Sequence, residues 1–268
     1  MSATLTLDAA LAVNHRTQLP LRVVLTGMLI GLLWKHAFFR VADEVYTQIP
    51  VQVGFFPALL QSAAVLRTAF IATIACCSLA WLTDDRHVRR AAMVVSQIAA
   101  TIMLLHQGTY NDMTFTTVWW CNVWSLWYTF RMQVDDDAAF LRKAAFLSRL
   151  MLSVVLLGGA MGKWTGEYWS GEVFYEIYFR ERDFWVFNWV RATFDTDTLH
   201  WIAMAYSRKV IVIETLGGLG LWLLQPRWAA IIGAVIFCSI ALLSNFLLFS
   251  VLGPLIALSL VGLFAPSR

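Results

Sequence analysis

Apolar residues along the chain gather into eight long blocks separated by more polar segments. The blocks cover residues 21–39, 61–82, 91–106, 115–132, 145–162, 210–224, 228–243 and 246–264. A hydrocarbon core of about 30 Å needs roughly 20 helical residues at 1.5 Å each, and these blocks approach that length. A membrane barrel would instead show alternating segments of about ten residues, a pattern missing here. In lipid the backbone must satisfy its own N–H and C=O groups, so the blocks predict helices. The expected architecture is all-α: a polytopic transmembrane helical bundle of about eight spans. The last two blocks are broken only at Ser244-Asn245, which predicts a helical hairpin with a tight turn.

Lys and Arg set the expected orientation. With the N-terminus inside, eleven fall on the cytoplasmic side and eight outside, with Arg67 within a span. Both termini are therefore expected in the cytoplasm. Residues 1–20 lack the charged start, apolar core and cleavage site of a secretory signal, and read as a cytoplasmic segment before a single membrane domain over 21–265.

One long segment, 163–209, stands outside the spans. It carries Trp164, Trp169, Trp185, Trp189 and Trp201, with Tyr168, Tyr175 and Tyr178, and its charges nearly balance. Trp and Tyr favour the headgroup zone, where an apolar ring can keep a polar edge wet. This segment is expected to form an extracytoplasmic cap of short interfacial helices.

Composition agrees with the pattern: 59% of residues are hydrophobic and 14% charged, and the mean hydropathy is +0.66. The net charge of +3 comes without a dense basic block, so nucleic acid is not an expected partner. Cys76, Cys77, Cys121 and Cys238 lie in apolar runs without a CxxC or Cys/His cluster. They read as small buried hydrophobes, with no metal site.

Candidate chemistry rests on three ionisable residues in or beside spans, each costing roughly 2.5–3.5 kcal/mol at a helix centre on insertion scales. Arg67 lies near the start of the second span and can snorkel. Glu214, about a turn into the sixth, cannot reach far and needs an internal partner, with Arg67, Lys163 or Arg208 as candidates. Lys163 ends the fifth span just after Gly158, Gly159 and Gly162, which permit close approach of another helix or a ligand.

The run Gly158-Gly159-Ala160-Met161-Gly162-Lys163, followed by Trp169 and Gly171, resembles a signature of the horizontally transferred transmembrane (HTTM) family. That family includes the membrane domain of vitamin K-dependent γ-glutamyl carboxylase. Glu214 matches the family's acidic residue opening the next span. Asn245 with Leu248-Phe249-Ser250 resembles its Asn and Phe-Ser before the last span. Tyr110-Asn111-Asp112 resembles its polar loop. The resemblance covers residues 106–262. It implies Lys163 as a base acting on a bound quinone or quinol, with Glu214, Asn245, Trp169, Gly171 and Asn111 around the ligand and a peptide as substrate. A lysine base must be able to shed its charge, which an apolar, water-poor pocket favours. A close, ionised Glu214 would oppose this. The chain departs from the family at Leu242 and Asp112, where His is common. No counterpart is expected for the large extra-membrane domain that helps hold the carboxylase's substrate.

Two readings follow. In the first, a carboxylase-like protein of a bacterial inner membrane holds a quinol or lipid-like ligand in an outward-facing apolar pocket, with Lys163 at its mouth. The second is a non-catalytic accessory subunit packed against other membrane subunits. A transporter has less support, because no inverted repeat is visible.

Overall fold

A computed structural model describes residues 2–37, 57, 60–106, 113–132, 137–180, 182–243 and 248–266, with the side chains of the first helix described from Thr17 onward. All regular structure among these residues is helical. In chain order the helices are α1 (Ser2–Trp34), α2 (Ala63–Leu82), α3 (Arg86–Leu105), α4 (Met113–Arg131), α5 (Asp137–Met161), α6 (Gly166–Ser170), α7 (Glu172–Phe174), α8 (Trp185–Thr193), α9 (Thr196–Leu223), α10 (Pro226–Leu243) and α11 (Phe249–Leu260). A π-helical turn, Tyr175–Arg180, follows α7, and a 3-10 turn, Val261–Phe264, extends α11.

Four helical stretches are long and apolar enough to cross a membrane: Thr17–Trp34, Ala63–Leu82, Arg86–Leu105 and Asp137–Met161. Pro226–Leu242 and Phe249–Phe264 are apolar but shorter. The helices α4 and α9 fall outside the apolar set, and α4 has a clear reason. It buries Thr114, Thr117, Asn122, Ser125 and Thr129 together with Phe115, Trp124 and Tyr128, so its polar groups face protein. Packed against α1, α3, α5 and α11, it trades hydrophobicity for interhelical hydrogen bonds. Tyr128 Oη donates to Thr17 O at 2.6 Å, Trp124 Nε1 to Ala144 O at 3.2 Å, and Ser96 Oγ to Asn122 Oδ1 at 2.9 Å. Thr114 Oγ1 and Ser250 Oγ share a hydrogen bond of 2.9 Å. With few waters to compete, such bonds fix which helix neighbours which.

The α2–α3 pair is a helical hairpin. Thr83 ends α2 in extended backbone, and the Asp85 carboxylate accepts from His87 N and Val88 N at the start of α3. These N–H bonds hold the Asp85 carboxyl below its ordinary range. Arg89, 2% exposed, reaches back to donate to Thr83 O and seals the turn.

Helix α1 meets α11 through small residues. Gly27 and Gly31, one turn apart, face Ser250, Gly253, Pro254 and Ala257. A Cβ on Gly27 would lie 2.3 Å from Ala257 Cβ, and one on Gly31 would lie 2.6 Å from Ser250 O. The helices are therefore closer than any larger residue permits, which maximises dispersion contact where lipid supplies no hydrophobic drive. Gly27→Leu is expected to destabilise the fold by about 2–3 kcal/mol, as over-packing does. Unfolding in mixed SDS micelles measures this; an unchanged midpoint would contradict the contact.

The segment between α5 and α9 builds its own small core from Phe174, Phe179, Phe187, Val190, Leu199 and Ala203. Short helices were expected here, and α6, α7 and α8 provide them. The packing residues, however, are chiefly Phe, with Tyr175, Tyr178 and Tyr206 against them, while Trp164, Trp185, Trp189 and Trp201 remain 57–64% exposed. Burial pushes the Tyr178 phenol above its ordinary range. Arg191 ties the segment together by donating to Phe179 O at 3.1 Å and Arg182 O at 2.9 Å. Helix α9 starts within this region, fourteen residues before the apolar block at 210, with Asp195 accepting from Thr198 N at 2.8 Å as its cap.

Candidate functional site

The site is built where α5 ends. Gly162 N still reaches Gly158 O, but Lys163 N turns to Ala160 O at 2.9 Å and Trp164 N to Met161 O at 3.3 Å. This tightening satisfies Ala160 O and Met161 O and leaves Gly159 O without its helical N–H. The Lys163 side chain folds back and donates to Gly159 O at 3.1 Å, placing a cation against the negative end of the helix.

The same ammonium meets Glu214 on α9. Nζ lies 2.6 Å from Oε2 and 2.9 Å from Oε1, with the Lys163 side chain 26% and the Glu214 side chain 12% exposed. Of the three cations considered as partners for Glu214, it is Lys163 that the structure brings to it. Gly159 lies directly beside the pair: a Cβ there would stand 3.3 Å from Oε2, a slightly tight contact, and 3.5 Å from Nζ, an ordinary one. Gly218, one turn further along α9, meets Leu157 so closely that a Cβ would lie 2.7 Å from its Cγ. Small residues on both helices thus bring α5 and α9 together around the ion pair. Three acceptors take up the three N–H donors of Lys163.

Aromatic groups cover one side. Trp164 Nε1 donates to Thr215 Oγ1 at 3.2 Å, next to Glu214, and its ring stacks on Trp169 with centroids 5.4 Å apart. Arg208 donates to Trp169 O at 3.0 Å and places its guanidinium 5.4 Å from the centre of the same ring. Arg208, a candidate partner for Glu214, is thereby a clamp for Trp169. Ser207 Oγ holds Tyr168 O at 2.5 Å. Gly171 closes α6 with φ +86°, in the left-handed region, and its α-carbon faces Met204 backbone so closely that a Cβ would lie 2.4 Å from Met204 Cα. Both constraints demand glycine.

Lys163, Glu214, Trp169 and Gly171 therefore fall on one junction of α5, α6 and α9. Asn111 and Asn245, with Tyr110 and Asp112, lie outside the described residues. Arg67 sits half-buried in the first turn and a half of α2. Trp164, Thr215, Ser207 and Arg208 were not singled out as ligand-site residues; the signal that could have found them is their position directly beside Lys163 and Glu214, or one to two turns before Glu214 on the same helix.

Four cavities were mapped elsewhere. One of about 460 Å³ lies between α1 and α11 beside Trp81, lined chiefly by apolar residues with Arg22 at its edge. A second, of about 500 Å³, lies at the far end of α5, among Arg142, Arg149 and Arg227. Smaller grooves run between α2 and α3 and between α9 and α10. None of the four is lined by Lys163, Glu214, Trp169 or Gly171.

No family model, no curated protein and no solved structure matches this chain.

Proposed function

We propose that the chain is an integral membrane protein of the carboxylase-like HTTM class, in which the Lys163–Glu214 pair receives the acidic hydroxyl of a quinol or lipid-like ligand. The observation that carries this reading is the ion pair itself, an ammonium and a carboxylate in contact at the end of an apolar helix, under a stacked tryptophan pair. In this reading the bundle crosses the membrane about eight times, both termini are cytoplasmic, and the Trp-rich cap lies on the outer face. The exposed tryptophans of the cap support a headgroup position.

The pairing changes the expected division of labour. An ammonium held by a carboxylate is a poor proton acceptor, so the base is Glu214. The ligand's O–H bond breaks, its proton passes to a Glu214 oxygen, and the resulting phenolate takes the carboxylate's place beside the Lys163 ammonium. Lys163 is then the anchor for the developing anion. Any coupled modification of a peptide follows from the resemblance and would start from that anion.

A second reading has its own support. All three N–H donors of Lys163 are used internally, as in a clamp that joins α5 to α9 in an accessory subunit. One experiment separates the two. The intact chain is purified in mild detergent, its organic-soluble content is extracted and quinones are quantified, for the wild type and Lys163→Met. Stoichiometric quinone in the wild type, lost in a folded Lys163→Met, is the expected result. Quinone-free wild type that co-purifies with other membrane subunits supports the accessory reading, and Lys163→Met that retains its quinone contradicts the anchor.

A further inference from the structure

The end of the bundle opposite Lys163 carries a second polar site. Arg149 lies fourteen residues before Lys163, roughly 21 Å along the helix direction at 1.5 Å per residue. There a cavity of about 500 Å³ is enclosed by the first turns of α5, the α9–α10 turn and the segment after the last 3-10 turn. Its charged lining residues are Arg142, Arg149 and Arg227, with no carboxylate among them. Among the described residues, none of the three arginines forms a salt bridge.

Arg149 is fixed in place. Its Nη1 donates to Leu224 O at 3.0 Å and lies 3.5 Å from Leu221 O, satisfying the C-terminal carbonyls of α9 and offsetting that helix's negative end. Its Nε is buried without a hydrogen-bond partner. Arg142 and Arg227 are exposed at the rim. Gln225 immediately precedes α10 and Arg227 lies in its first turn, where N–H groups without a helical acceptor favour an anion.

An apolar groove of about 260 Å³ meets this cavity at Leu224 and runs between α9 and α10 along Ile213, Leu216, Gly217, Ile232 and Ile236. Gly220 leaves it open, as a Cβ there would meet nothing within 4 Å. A basic cavity continued by an apolar groove matches an anion that carries a hydrocarbon chain. We infer that this is a binding site for an anionic phospholipid, with the headgroup phosphate among Arg142, Arg149 and Arg227 and an acyl chain in the α9–α10 groove. The groove selects a lipid over free phosphate. Trp222 lines the same cavity, 40% exposed, with its indole N–H donated to Ser153 Oγ at 2.8 Å. This inference is independent of the quinol reading, because the two sites share no residue.

Native mass spectrometry of the detergent-purified full chain tests it, with phosphatidylglycerol, phosphatidylcholine and inorganic phosphate as the three probes. Phosphatidylglycerol is expected to bind at least roughly tenfold more tightly than phosphatidylcholine. The exposed rim pair permits a double variant, Arg142→Gln with Arg227→Gln, that spares the cap of α9. It should lose roughly thirtyfold in phosphatidylglycerol affinity, since each of the two basic residues near a headgroup contributes about 1 kcal/mol. Phosphatidylcholine affinity should stay unchanged. Gly220→Trp, which fills the groove, should weaken phosphatidylglycerol binding as well. Equal affinity for the two lipids, or an unaltered affinity in the double variant, overturns the site. Displacement of phosphatidylglycerol by millimolar inorganic phosphate, together with indifference to Gly220→Trp, overturns the lipid assignment in favour of a free anion.

Discussion

Replacing Glu214 by Leu is expected to destabilise the protein by about 2–4 kcal/mol. Removing one partner of a fully buried ion pair costs about 3–5 kcal/mol, because the other charge is left uncompensated, and the lower figure reflects the residual exposure of Lys163. The Lys163 side chain keeps 26% of its exposure, so it can turn partly toward the interface. Glu214→Gln should cost less than Glu214→Leu, because the amide oxygen can still accept from Nζ. The double variant Lys163→Met with Glu214→Leu should recover much of the loss, since two apolar side chains leave no charge behind. Chemical unfolding in micelles reads all four proteins. Equal stabilities for Glu214→Leu and the wild type would show that the pair contributes nothing.

Gly171→Ala is expected to cost about 2–4 kcal/mol, or to detach the Trp169 turn from α9. The left-handed conformation alone disfavours alanine by roughly 1–2 kcal/mol. The added Cβ would in addition lie 2.4 Å from Met204 Cα and 2.5 Å from Met204 N, atoms of a helix backbone that cannot rotate away. Relief requires α6 to shift, which would break the Ser207–Tyr168 and Arg208–Trp169 hydrogen bonds. Hydrogen exchange across 164–180 reads that shift directly. Wild-type protection in Gly171→Ala would contradict the close approach.

Much of the α-helical plan was visible in the sequence because long apolar blocks leave few alternatives. Helices α2 and α3 follow the blocks to within five residues and α5 begins eight residues before its block; all three are among those long and apolar enough to cross a membrane. Helix α9 was harder. Its first half, from Thr196 to Lys209, buries only Leu199, Ala203 and Ser207 and intersperses them with polar residues, so the apolar block covers only its second half. The α1–α11 contact has no signature in the sequence. Gly27 and Gly31 sit in an unbroken apolar run, and nothing local says which helix their bare faces will meet.

The candidate site was partly legible for a physical reason. A carboxylate placed in an apolar stretch must find a partner, and Lys163 was one of three cations within reach of the argument. Choosing among the three needed geometry: Arg208 is taken up by Trp169, and the close approach of α5 and α9 at Gly218 brings Lys163 to Glu214. What the residues alone could not give was the distance between ammonium and carboxylate, on which the role of Lys163 turns. In the proposed reading a separated lysine would serve as a base, whereas a paired one would serve as an anchor.

The most direct measurement is therefore of that pair. Solid-state NMR on the full chain in lipid, with Lys side-chain nitrogen and Glu carboxyl carbon labelled, reports both charge and proximity. The expected spectrum has a through-space correlation between Lys163 Nζ, in its ammonium form, and the Glu214 carboxylate, lost in Glu214→Gln. A neutral amine signal for Lys163, or no correlation with Glu214, would contradict the account.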